Sequence, residues 1–326
     1  MSRKPDNMSS MSADHTLQSE TRIIVPIRNG GARWREAAAA LRMSLPDPSL
    51  VVVVDSTSSD GSENVAADQG FELVRIHPRT FNHGGTRQAA VEEFCGGKRF
   101  VIFLTQDAIV EGTESLTALL RSLSDPSIGA AYGRQLPHHD ARPFGRHFTR
   151  FNYPAVSAIK SLADVPRLGI KTAYFSNSFA AYRIQALREC GGFSSQLILG
   201  EDAHIAFQML MSGWAIGYCA EALVRHSHDY SILQEMQRYF DFGVMHAQLP
   251  DMMRRLGPAE GEGMRFVLSE VRFMSGVAPW LLPQVAIRNT AKYLGYRLGL
   301  RFQRLPNSMR RGLSMTKGYW DGIPSV

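Results

Sequence analysis

The chain has 326 residues, with 36 Lys and Arg against 30 Asp and Glu and a formal net charge of +6. Residues 251–326 hold 12 basic and 5 acidic residues, a net +7, which leaves 24 and 25, a net −1, for residues 1–250. That excludes a nucleic-acid surface spread over the main body, and 44% hydrophobic with 20% charged residues excludes wholesale disorder.

In chain order, residues 1–20 are polar, lack the apolar stretch of a signal peptide and are expected to form a disordered tail. Three apolar runs follow. Thr21-Arg22-Ile23-Ile24-Val25-Pro26 is a short buried strand, Leu50-Val51-Val52-Val53-Val54-Asp55 a β-branched run closed by a carboxylate, and Phe100-Val101-Ile102-Phe103-Leu104 a repeat of that design leading to Asp107. Between them lie helix-favouring segments at 33–44 and 63–69, with a fourth strand expected at 71–76. Continuous apolar strands alternating with helices predict an α/β fold with a mostly parallel central sheet covered on both faces. Ligands bind beyond the carboxyl ends of such strands, where Asp55 and Asp107 fall. The domain is expected to span 21–250, with a basic helical region at 251–326. No run of about 18 apolar residues exists; the nearest, 266–287, is broken by Glu270, Arg272 and Pro279. Cys95, Cys190 and Cys219 are too scattered for a disulfide framework or zinc motif and read as reduced thiols of a cytosolic protein.

Five segments carry candidate chemistry. After the second strand, Asp55-Ser56-Thr57-Ser58-Ser59-Asp60-Gly61 offers a carboxylate for a base or ribose, and a helix start that favours phosphate; a capped turn without ligand is the plainer alternative. Phe81-Asn82-His83-Gly84-Gly85-Thr86-Arg87 reads as a loop whose glycines admit a ligand close to the backbone, ahead of a helix beginning near Gln88. Gln106-Asp107 supplies one carboxylate for a hard divalent cation, or a cap. Gly200-Glu201-Asp202 opens a helix; the dipole stabilises such acids structurally, and would equally keep Asp202 ionised as a general base. His226 and His228 end a strand-like stretch on one side, where two imidazoles beside an acid suit a metal or a diphosphate.

In this order, the segments resemble the inverting family 2 glycosyltransferases with the GT-A fold, most closely the bacterial rhamnosyltransferases, over residues 21–250. Val25-Pro26-Ile27-Arg28-Asn29 resembles the family's opening strand and nucleotide-contacting loop. Asp55 matches the first acid after the second strand, with Ser56 in place of the second. Asn82, His83, Gly84, Gly85 and Arg87 resemble a donor-side loop of the rhamnosyltransferase branch. Gln106 and Asp107 fall on the metal-binding Asp-x-Asp element, Thr105 standing where its first acid would be. The resemblance implies Asp202, with Glu201, as the base motif, and Asp107, His226 and His228 as ligands of Mg²⁺ or Mn²⁺. Arg134, Gln135, Asn177 and Ser178 would line the sugar and acceptor pocket, with Arg87 or Arg134 helping to neutralise the leaving group.

The implied reaction is a single displacement that moves L-rhamnose from dTDP-L-rhamnose onto a glycan or a polyprenyl-diphosphate-linked glycan for surface polysaccharide. No nucleic-acid partner is expected. A cytoplasmic enzyme follows, peripheral on the inner face of the membrane if the C-terminal region binds lipid. Arg297, Arg301 and Arg304, with Leu298, Phe302 and Leu305 one residue on, describe a basic amphipathic helix. It would pack on the domain, bind an anionic membrane or form an oligomer contact. Two other function classes remain open. A sugar-1-phosphate nucleotidyltransferase would need Gly30-Gly31-Ala32-Arg33 to grip a triphosphate, and a non-catalytic glycan- or nucleotide-binding protein would need no base.

Overall fold

The computed structural model describes residues 19–258 and 260–322. Residues 1–18 of the expected tail lie outside them. The tail's last two residues are instead tied to the domain: Lys98 donates to the Ser19 carbonyl and Arg99 pairs with Glu20 at 2.8 Å.

The elements run β1 (Thr21–Ile27), α1 (Gly31–Met43), β2 (Val51–Asp55), α2 (Ser62–Asp68), β3 (Glu72–Arg75), α3 (His83–Phe94), β4 (Phe100–Leu104) and β5 (Ile109–Val110). Then come α4 (Ser115–Arg121), β6 (Ile128–Leu136), α5 (Pro143–Asn152), β7 (Ala158–Lys160), α6 (Val165–Leu168), β8 (Phe179–Arg183), α7 (Ile184–Glu189), α8 (Glu201–Met211) and β9 (Ala215–Arg225). Five helices close the described chain: α9 (Ile232–Gln248), α10 (Pro250–Leu256), α11 (Glu260–Val277), α12 (Leu282–Gly299) and α13 (Asn307–Leu313).

One sheet of nine strands has the order β3-β2-β1-β4-β8-β6-β9-β5, with β7 also on β9. The half read from sequence, β3-β2-β1-β4, is parallel throughout. Beyond β4 the sheet is mixed, because β8 runs antiparallel to both β4 and β6 while β6 and β9 are parallel. Strand alternation explains the apolar runs. Ile23, Val51, Val53 and Ile102 face α1 and α4, whereas Ile24, Val52, Val54 and Phe103 face α3, α7 and α8. Cys95 and Cys219 are buried free thiols, and Cys190 is half-buried.

The C-terminal helices pack onto the domain through α9. A Cβ on Gly295 would lie 2.2 Å from the Met236 carbonyl, and one on Gly299 2.1 Å from that of Phe240, so both positions admit only hydrogen at this helix crossing. Beside it, Glu235 pairs with Arg288 at 3.0 Å and Lys292 at 3.6 Å, and Lys292 reaches the buried Glu270 at 3.7 Å. Two of the twelve C-terminal cations are thus internal. The amphipathic helix expected across 297–305 is corrected. α12 ends at Gly299, and residues 302–304 form a single 3-10 turn. Pro306 disfavours helical backbone at Leu305, and the Arg310 guanidinium takes the freed carbonyls of Phe302 and Leu305. Leu298, Phe302 and Leu305 pack around the buried Trp320.

Candidate active site

An open cleft of about 1940 Å³ lies beyond the carboxyl ends of β1 and β4 and reaches the inner sides of α9, α11 and α12. It brings together Pro26, Arg28, Asn82, His83, Arg87, Gln106, Asp107, Gln135, Asn177, Ser178, Glu201, Asp202, His226 and His228. Asn29, Asp55, Ser56, Gly84, Gly85 and Arg134 stand outside its lining.

Three side chains converge at one end. Asp107 follows β4, and the β6–β9 ladder, extended by the His226 N–H to the Leu136 carbonyl, delivers His226 beside it. His226 Nε2 is 3.4 Å from Asp107 Oδ1, and His228 Nδ1 3.8 Å from Oδ2. Donor atoms of the three all lie within 4.8 Å of one another. Burial opposes charge on Asp107, but the adjoining His226 outweighs it and holds the carboxyl well below the usual range. Burial, with His226 beside it, pushes His228 down to about 3, so it is a neutral imidazole at pH 7. The Nδ1 of His226 is 2.8 Å from Gln135 Oε1, an atom that only accepts, so Nδ1 carries a proton and the ring is held with Nε2 toward Asp107. Gln135 is in turn fixed by donating to Ser176 Oγ at 3.0 Å. An ionised carboxylate and two imidazoles, one of them oriented from behind, fit a divalent cation.

The second cluster opens α8, where Gly200 turns the chain with φ at 78°. Glu201 is buried and bonded by Arg87 Nη1 at 2.9 Å and Asn177 Nδ2 at 3.1 Å. Burial opposes its charge, yet Arg87 more than offsets this and keeps Glu201 below the ordinary carboxylate value. Asp202, the next residue, turns to the cleft and accepts from the Asn177 and Ala203 N–H groups at 3.1 and 2.8 Å. Burial and then the Glu201 charge push its carboxyl up to about 6. Two adjacent acids are thereby split into a permanent anion and a group poised to exchange a proton near neutral pH.

Several roles expected from sequence change. Residues 83–85 are the first turn of α3, not a loop, with Asn82 accepting from the Gly85 N–H at 2.9 Å as its cap. The glycines make a close approach to protein rather than ligand, since a Cβ on Gly84 would lie 1.9 Å from the Ser194 carbonyl. Arg87 is spent on Glu201 and the His83 carbonyl, and Arg134 sits beside Tyr218, so neither is a free cation in the cleft. Asn177 is 3% exposed and locked by Tyr182, Glu201 and Asp202, which makes it a positioning residue. Asp55 is 1% exposed and its oxygens take the Ser58 N–H and hydroxyl, the capped-turn alternative; Ser56 is fully buried. Asn29, at φ 48°, accepts from the Ser59 N–H and knits this turn to the β1 loop. Gln106 does likewise for Arg28, whose N–H and carbonyl it brackets at 2.7 and 3.2 Å. Arg33, needed by a triphosphate-gripping loop, pairs with Asp140 and Glu36.

Sequence reasoning missed Arg238. It lies on α9, lines the cleft over the Tyr230 and Phe242 rings at 5.6 and 5.1 Å, and has no carboxylate partner among the described residues. Its field is felt at both His83 and His228. A lone Arg on an amphipathic helix gives no motif, so nothing in the sequence marked it.

The fold and this paired arrangement of a carboxylate–histidine cluster and a buried acid pair define a GT-A glycosyltransferase. Residues 22–191 match the domain described as Glycosyl transferase family 2, and the chain belongs to that family. It is 46% identical to the O-antigen chain rhamnosyltransferase WbaN of Salmonella anatum over 92% of this chain and 96% of that one. It is 44% identical, with the same coverage, to the O-antigen chain rhamnosyltransferase RfbN of Salmonella typhimurium. Among solved structures, the mannosyltransferase PcManGT from Pyrobaculum calidifontis, in complex with GDP-Man and Mn²⁺, shares the fold with a TM-score of 0.51 at 18% identity. That match covers 96% of this chain and 92% of that one.

Proposed function

We propose that the protein is an inverting rhamnosyltransferase of surface polysaccharide synthesis, moving L-rhamnose from dTDP-L-rhamnose onto a lipid-linked glycan. The observation that carries the reading is the Asp202 carboxyl, lifted to about 6 and facing the same cleft as Asp107, His226 and His228. The rhamnosyltransferase names of the two Salmonella relatives support the choice of sugar.

In this reading Asp202 accepts the proton of the acceptor hydroxyl as that oxygen bonds to the anomeric carbon. The bond from that carbon to the nucleoside diphosphate breaks on the opposite side, inverting the configuration. Glu201 stays ionised against Arg87 and raises the basicity of Asp202; Asn177 holds both acids in register. Arg238 supplies positive charge to the departing diphosphate, the task first expected of Arg87 or Arg134. Asp107, His226 and His228 would hold Mg²⁺ or Mn²⁺, with Gln135 fixing the His226 tautomer. Such an ion supplies Lewis-acid neutralisation of the diphosphate oxygens.

A panel of nucleotide sugars, assayed for binding and for divalent-dependent turnover, tests the reading. Selective binding of dTDP-L-rhamnose with turnover abolished by excess chelator is expected. Failure to bind any nucleotide sugar, or undiminished turnover in chelator, would overturn the donor or the metal assignment respectively.

A further inference from the structure

The helical hairpin α11–α12 has two unlike sides. Its inner side, with Phe266, Glu270 and Lys292, lines the cleft. Its outer side carries large apolar groups in solvent: Leu268 is 64% exposed, Trp280 at the tip 75%, and Ile287 57%, with Val271, Tyr293 and Leu294 also exposed. The spacing is systematic. Met264, Leu268 and Val271 fall at i, i+4 and i+7, opposite the buried stripe of Phe266, Glu270 and Met274; Ile287 and Leu294 do the same opposite Val285, Arg288 and Lys292. An apolar stripe of this kind on a folded protein marks a contact surface.

Charge identifies the contact. Between residues 264 and 297 the chain has a single carboxylate, Glu270, and it is 1% exposed on the inner side. Over that stretch the outer side therefore presents no negative charge, and Glu262, nearer the start of α11, lines the cleft and pairs with Lys171. Arg272 beside Val271, Arg297 in the last turn of α12, and Arg301 and Arg304 just beyond it have no carboxylate partner among the described residues. A second copy of this chain, docking the same face about a two-fold axis, would bring arginines together with no acid to meet them. An anionic bilayer matches both features: headgroup phosphates take the arginines, Trp280 suits the interface, and the aliphatic groups enter the acyl boundary. No described helix is long and apolar enough to cross a membrane.

We infer that the outer face of α11–α12 docks the protein on an anionic lipid bilayer. The surface differs from the one expected at 297–305, whose apolar residues are occupied with Trp320. Because the inner side of the same hairpin lines the cleft, docking holds the cleft one helix diameter, ~10 Å, from the lipid surface, where a lipid-linked acceptor resides. In that purpose the inference rests on the transferase reading; the binding itself does not.

Flotation of the full chain with vesicles tests it, using phosphatidylglycerol mixed with phosphatidylcholine against phosphatidylcholine alone. The wild type is expected to float with the anionic vesicles, and high salt to weaken this. The triple variant Leu268→Ser, Trp280→Ser, Ile287→Ser should lose at least tenfold in partition while keeping its thermal unfolding transition and its donor binding. Arg272→Glu with Arg301→Glu should lose anionic selectivity. A wild type that stays at the bottom, or a triple variant that floats equally, overturns the inference. So does a wild-type dimer that the triple variant converts to monomer in sedimentation without any flotation. Flotation needs no donor, so intact flotation with no nucleotide-sugar turnover would sink the transferase reading alone.

Discussion

Asp202→Asn separates the chemical role of this carboxyl from its cost to the fold. In the folded protein the carboxyl is raised from 3.8 to about 6, chiefly by burial and then by Glu201. At about 1.36 kcal/mol per unit, ionising it in place costs about 3 kcal/mol of stability. The sign follows from proton uptake: between pH 4 and 6 the folded state holds a proton that the unfolded state has lost, so stability falls as pH rises through this window and is level above it. The asparagine removes that dependence. It also leaves one of the two N–H donors, of Asn177 or Ala203, facing an amide NH₂, at about 1–3 kcal/mol independent of pH. Urea denaturation of both proteins at pH 4 and pH 7 should therefore show the variant gaining about 3 kcal/mol relative to wild type between the two. Its transfer rate should fall about 10²–10⁴-fold, while wild-type turnover rises with pH to a plateau just above 6. A pH-independent stability difference, or near-normal transfer by the variant, would refute the assignment of Asp202 as the raised, cleft-facing base.

Three further outcomes follow from the same network. Arg87→Met strands Glu201 without its cation and should cost about 3–5 kcal/mol in urea denaturation. Gln135→Leu frees His226 Nδ1 and should weaken Mn²⁺ binding about 10–100-fold by calorimetry, with donor turnover recovering at high metal. Gly84→Ala should destabilise by about 1–3 kcal/mol, because its Cβ meets the Ser194 carbonyl, whereas Gly96→Ala, with open space around it, should be close to neutral in the same melt.

The parallel half of the sheet was legible because β1, β2 and β4 are buried on both faces, and only uninterrupted apolar runs satisfy that. The antiparallel insertion of β8 was not, since strand direction depends on connections rather than on the composition of residues 179–183. Within the site, Asp107, His226, His228, Glu201 and Asp202 were legible because carboxylates and imidazoles at strand ends and a helix start are chemically conspicuous. The division of labour between them was not: that Arg87 serves Glu201, and that Asn177 and Gln135 position acids and an imidazole, depends on contacts 24 to 114 residues apart in sequence. Gly84 misled because a close backbone approach looks the same in sequence whether ligand or protein approaches. The heptad-like arginines at 297–304 misled because α12 ends at Gly299 and residues 302–304 form a 3-10 turn, so the three are not carried on one helix. The contact surface we infer for the basic C-terminal quarter lies on α11 and α12 instead.

The most direct test of the central claim is the anomeric configuration of the product. Proton NMR of the glycan formed from β-linked dTDP-L-rhamnose should show an α-L-rhamnoside, absent when Asp202→Asn replaces the wild type although that variant still binds the donor. A β-linked product, or an α-linked product formed at undiminished rate by Asp202→Asn, would contradict a single displacement driven by this carboxylate.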